Sequence, residues 1–229
     1  MNKAVKTIVS ILLLFVIAGL AYAIVRSIQQ PVNFNKAVKA REAVGIQRMK
    51  DIRDLQVAYK SVNGKFASTI DSLILFYNTG KMDVLLQVGS HDDSLAVANT
   101  EALRKANKKI TQEELYQRYL NGEQVIATLK TTLNVKDTLF RSRTNFVPDS
   151  LKYIPFSGKE LTEMEATIKK VSGVDVPLFE ARMPYKKLLK GLDNQLRINL
   201  DAEKRAQNRY EGLQVGSISA PNNNAGNWE

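Results

Sequence analysis

Residues 7–25, TIVSILLLFVIAGLAYAIV, carry no charge and no proline. At 1.5 Å per helical residue, a run of about 19 residues spans close to the ~30 Å hydrocarbon core of a bilayer. No other feature constrains the architecture as strongly, because a segment this apolar either crosses a membrane or is removed as a signal. It follows Lys3 and Lys6 and extends to Ile28 with only Arg26 intervening. An arginine at a helix end can snorkel to the headgroups. These features read as an N-terminal tail over 1–6 and a retained transmembrane helix over 7–28. The alternative is a secreted protein made by signal cleavage near Ala23, since Ala21-Tyr22-Ala23 has the small-x-small form of a cleavage site. Against it, Ile24 and Val25 carry the apolar run past that site. The positive charges on the two flanks are nearly balanced, with Lys3 and Lys6 on one side and Arg26, Lys36, Lys39 and Arg41 on the other. The brevity of the N-terminal tail favours the bulk of the chain on the far side of the membrane.

Outside this run the chain has the composition of a folded protein, 44% hydrophobic and 24% charged. It has no cysteine, which excludes a disulfide framework and thiol chemistry. The net charge of +10 points toward anionic surfaces such as lipid or cell-wall polymer. The charges are dispersed, however. The densest groups, Arg104-Lys105 with Lys108-Lys109 and Lys186-Lys187 with Lys190, read as solvated helix faces. Basic and aromatic residues do not interleave, so no nucleic-acid partner is expected.

Pro31 predicts a bend or a break after the membrane helix. Residues 35–64 then read as an amphipathic neck helix. Val38, Gly45, Ile52, Tyr59 and Phe66 recur at sevens, but the alternate seam of Glu42, Met49, Gln56 and Asn63 is largely polar. That pattern predicts packing on the chain's own domain in preference to a coiled-coil zipper. A domain over 66–218 follows, with a subdivision point near 145–150, and residues 219–229 read as a mobile tail unless Trp228 docks.

Within that domain a helix is predicted from Ser68 to a stop at Gly80, then a short buried strand over 83–88. Thr111 with Glu114 makes a capping-box pattern ahead of a helix ended by Gly122. Alternation predicts strands over 125–135, 162–168 and 174–183, with Ser172-Gly173 as a hairpin turn between the last two. The phase slip after Pro177 predicts a bulge or an edge strand. A short helix over 184–192, an alternating strand at Leu196, Ile198 and Leu200, and another at 213–215 complete an α+β reading: transmembrane helix, helical neck, then mixed helices and antiparallel sheet.

Candidate chemistry is sparse. His91 is the sole histidine, in the polar segment His91-Asp92-Asp93-Ser94. Sequence neighbours rarely make triad geometry, and no second histidine completes a typical zinc site, so a solvated loop is expected. Asp51 and Asp54 lie one turn apart and read as surface helix charges. There is no phosphate-cradling glycine motif. No catalytic, cofactor-binding or metal-ligating residue is assigned, no cofactor is expected, and the chain is not expected to be an enzyme.

Residues 50–66, KDIRDLQVAYKSVNGKF, followed by Ile70-Asp71-Ser72-Leu73, resemble a segment of type II secretion pseudopilins, in which a helix ends in an aromatic turn and a leucine-bearing helix follows. The chain departs from that family in lacking a leader glycine before the apolar run and an acidic residue five positions into it. More broadly, the apolar run, residues 51–81, Asn134 to Phe140 and the segment from GLQVGS to PNNNAGNWE resemble a family of uncharacterised single-pass membrane proteins of the Bacteroidota. This resemblance implies an envelope location; with the retained anchor and its short N-terminal tail, the expectation is the bacterial inner membrane, single-pass, with the bulk of the chain periplasmic. It implies no activity for any residue. The partners expected are the lipid bilayer, other envelope proteins or a second copy.

Overall fold

The computed structural model describes the backbone of residues 3–229 and the side chains from residue 11 onward. The basic flank at Lys3 and Lys6, and the tail residues Met1 and Asn2, lie outside the described side chains. The fold is α+β, with two small antiparallel sheets and a long first helix.

Helix α1 runs from Lys3 to Asn63 without interruption. At 1.5 Å per residue it is about 90 Å long. Its apolar part is long enough to cross a membrane, and none of that window is buried within the protein. The helix passes through Pro31, so the expected break is absent. Tertiary contacts bracket the proline and offset its lost hydrogen bond: Gln30 Nε2 donates to Asp193 at 2.7 Å, and Phe34 is buried. The apolar stretch and the expected neck are therefore one helix. Its end is as predicted, with Gly64 at φ +72° and its amide on Lys60 O at 2.8 Å.

Two compact units form. The first joins α1 up to Asp54 with Ala67–Ile70 and Val147–Glu229. Its sheet has the order β3-β4-β5, with β3 at Glu163–Val171, β4 at Val174–Pro184 and β5 at Gly212–Gly216. Ser172 (φ +51°) and Gly173 (φ +86°) make the two-residue turn between β3 and β4. The register runs unbroken past Pro177, which faces Ile168, so there is no bulge. Because β5 reaches β4 only at residues 180–184, the proline stands where β4 has a neighbour on one side alone. The phase slip marks where the core face begins: Phe179, Ala181 and Met183 are buried, whereas Val174 is exposed.

Short helix α6 (Tyr185–Leu188) and helix α7 (Asn194–Ala206) lie between β4 and β5. The strand expected at Leu196, Ile198 and Leu200 is thus a helix. Asp193 caps it, its Oδ1 accepting from the Leu196 amide at 2.9 Å, and a capped first turn outweighs a brief alternation of apolar residues. Helix α1 is clamped along this unit. Arg41 donates to the carbonyls of Leu188 (3.2 Å) and Lys190 (2.8 Å), and Arg48 donates to that of Tyr153. Gly45 lets the helix approach β5 closely, since a Cβ there would stand 2.6 Å from Leu213 Cδ1. Val38, Met49 and Ile52 are buried along the same face, as packing on the chain's own domain requires.

The segment 221–229 is docked. Gly226 bridges Val215, and the Asn227 amide donates to Gln214 O at 3.0 Å. The Asn227 side chain donates to Gly212 O at 2.8 Å and accepts from the Gln214 amide at 3.1 Å. Glu229 pairs with Arg53 at 2.6 Å. The expectation of a mobile tail fails because β5 offers an open edge that this segment covers.

The second unit joins Leu55–Phe66 with Asp71–Phe146. It holds α2 (Ile70–Thr79), β1 (Lys81–Val88), α3 (Ser94–Ala106), α4 (Gln112–Leu120), β2 (Ala127–Asn134) and the single turn α5 (Val135–Thr138). The capping box at Thr111 and Glu114 is complete. Leu73, Leu115, Val125 and Val135 are among its buried residues, and Tyr59 meets Phe76 edge-on at 5.2 Å. Strand β1 pairs only with β2, from Lys81↔Asn134 to Val88↔Ala127. It is not the buried strand expected. A two-stranded ribbon has one apolar face, here Met82, Val84, Leu86 and Val88. Leu85 lies on the other face opposite Lys130 and is exposed.

Candidate functional site

The sequence candidates do not converge. His91 and Asp92 are exposed in the turn before α3. Asp93 is spent as a helix cap, its Oδ1 accepting from the amides of Leu95 (3.0 Å) and Ala96 (3.3 Å). Asp51 is buried, not a surface charge, and accepts from Gln47 Nε2 at 2.9 Å. Arg104, Lys105, Lys108 and Lys109 are exposed at the end of α3 and beyond, as expected. Among the described residues no cluster of three or more metal-ligating side chains occurs.

The most built site is a cleft along α7. Arg197, Asp201 and Arg205 recur every fourth residue and so share one face of the helix. After Ala206 the chain turns back at Asn208 (φ +54°), which returns Arg209, Tyr210 and Glu211 to that face. With Pro184, Lys186 and Ile198 they line a cavity of about 730 Å³.

Its charges fall into two groups. Arg197 is ion-paired with Asp201, and Arg205 Nε pairs with Glu211 at 2.6 Å. The Arg205 guanidinium holds the Glu211 carboxyl below its ordinary range. Lys186 and Arg209 also line the cavity, and among the described residues no carboxylate pairs with either. Asp201 is only 7% exposed, and its Oδ1 has no hydrogen-bond partner. Burial raises its carboxyl above the ordinary value, opposed by Arg197. Burial likewise pushes the Tyr210 phenol up to about 12.

A smaller cavity of about 240 Å³ also has Arg209 and Tyr210 in its wall, together with Glu42, Tyr185 and Trp228. The Tyr185 hydroxyl donates to Glu42, and burial first, then that carboxylate, raises the phenol far above its ordinary value. The Trp228 Nε1 is buried without a partner.

Chemically, the α7 cleft offers cationic donors for a carboxylate or phosphate, one buried acceptor, and an apolar wall at Pro184 and Ile198. Sequence reasoning placed Lys186 on a solvated face and did not find the others. The signal was present in the four-residue spacing of Arg197, Asp201 and Arg205, but it is visible only if 194–206 is read as a helix. Compared with known protein families, curated proteins and solved structures, the chain matches none of them.

Proposed function

We propose that this protein is a single-pass, membrane-anchored structural or assembly component of a bacterial envelope complex, without a catalytic step of its own. The observation that carries this reading is the unbroken run of α1 from an unburied apolar stretch into the core of a folded unit. Apolar surface on that scale is unfavourable in water and is matched by a bilayer. Gln30, about 3 Å along the axis from Ile28, already contacts Asp193. A continuous helix mounts the folded unit against the membrane edge with no flexible neck, which suits a part held in register with neighbours. The inner membrane, with the folded part on the periplasmic side, is the location this reading adopts. Its partners are other envelope proteins or a second copy.

The test is an alkaline phosphatase fusion after Glu229, with its size read on the same blot. Activity at full length is the expected result. A fusion shortened by roughly twenty residues would mean signal cleavage, and an inactive one would reverse the orientation. Purification in mild detergent should then yield a discrete assembly; a lone monomer would sink the structural reading. A second reading, a tethered module on anionic lipid, is favoured by the exposure of Lys36 and Lys39 just beyond the apolar stretch. Salt-insensitive behaviour on anionic vesicles would remove it.

A further inference from the structure

We infer that the cleft along α7 is a binding site for a hydroxylated anion of the sugar-acid or sugar-phosphate class. Three independent features converge there. Lys186 and Arg209 face the cavity without a carboxylate partner, so two cationic groups are open to an anionic ligand. Asp201 Oδ1 is buried without a donor, although its Oδ2 is held by Arg197. Unpaired buried acceptors are costly, and an anion alone cannot satisfy one, whereas a ligand hydroxyl can once a small turn of the Asp201 carboxylate brings Oδ1 to the cavity surface. Ile198 and Pro184 add apolar surface suited to the C–H face of a sugar ring.

Size and charge narrow the class. A cavity of about 730 Å³ falls in the usual range for small-ligand sites and holds one or two rings. Asp201 and Glu211 already occupy Arg197 and Arg205, which leaves Lys186 and Arg209 for an anionic group of the ligand. The anionic sugar could be a free sugar phosphate or an acidic residue of an envelope polysaccharide, and both present the same groups. The inference does not depend on the anchoring reading, because every residue it uses lies between Pro184 and Glu211.

The experiment is calorimetric titration of the full chain in detergent micelles. The probes are glucose 6-phosphate, glucuronate and a short oligogalacturonate, with glucose, acetate and inorganic phosphate as comparators. At least one sugar anion should bind tenfold or more tightly than the comparators. A Lys186→Ala, Arg209→Ala double variant should lose at least tenfold, and folding is preserved because both side chains are exposed. A Lys36→Ala variant should bind as the parent does. Tighter binding of the oligomer would identify a polymer source, and binding of the monomers alone a free metabolite. Phosphate matching glucose 6-phosphate, no sugar anion binding, or an unaffected double variant would each overturn the assignment.

Discussion

The docking of segment 221–229 rests heavily on Asn227, and replacing it with alanine should release the segment. Its amide group reads the backbone of β5 as a neighbouring strand would, donating to Gly212 O at 2.8 Å and accepting from the Gln214 amide at 3.1 Å. Each such bond contributes about 0.5–1.5 kcal/mol net. The bond to Gln214 is solvent-exposed and belongs at the low end, so the pair is worth about 1–2 kcal/mol. That corresponds to a roughly 5- to 30-fold fall in the docking equilibrium. Trp228 is the chain's single tryptophan and its Nε1 is buried, so its fluorescence reports docking directly. Asn227→Ala should red-shift the emission, increase acrylamide quenching and speed hydrogen exchange at the Gly216 amide, which bonds to Ala225 O at 3.0 Å. The adjoining ion pair adds a pH dependence. Arg53 first, then the Gly226 amide, holds the Glu229 carboxyl below its ordinary value. The contribution of this pair is therefore present above about pH 4.3, the unfolded glutamate value, and is lost as pH falls through the lower folded-state value. An Asn227→Ala protein with unchanged emission, quenching and exchange would refute the latch.

Three further outcomes are expected. Pro31→Ala should raise the thermal midpoint in detergent, because it restores a backbone hydrogen bond inside a continuous helix where proline costs about 3 kcal/mol; a lowered midpoint would mean the helix needs a break there. Gly45→Leu should destabilise the first unit by about 1–3 kcal/mol in urea through overpacking against Leu213 and Leu188, and an unchanged midpoint would show that α1 does not press on β5. Asp93→Ala should cost about 1 kcal/mol by uncapping α3, read as faster amide exchange at Leu95 and Ala96.

Local rules held where local chemistry dominates. The Thr111–Glu114 box, the Ser172-Gly173 turn and the Gly64 stop each depend on a few neighbouring residues, and all three stand in the structure. They failed where a distant partner decides. Pro31 argues for a break until Asp193, far along the chain, takes the Gln30 side chain. Leu196, Ile198 and Leu200 alternate as a strand would, yet the cap at Asp193 and the Arg197–Asp201 pair one turn apart favour a helix. That single misreading hid the α7 cleft, since Arg197, Asp201 and Arg205 share a face only at helical spacing.

The amino-acid order by itself determined that one end of this chain is a membrane-length apolar helix and that the remainder alternates helices with antiparallel strands. Those outcomes follow from hydropathy, periodicity and turn chemistry, all of which act within about a dozen residues. Only the tertiary structure decided that the apolar stretch and the neck are one helix, that Asp51 is buried, that the last residues cover the edge of β5, and that Lys186 joins Arg209 around an unsatisfied Asp201. Each depends on groups brought together across more than a dozen residues, by packing energies that no local pattern encodes.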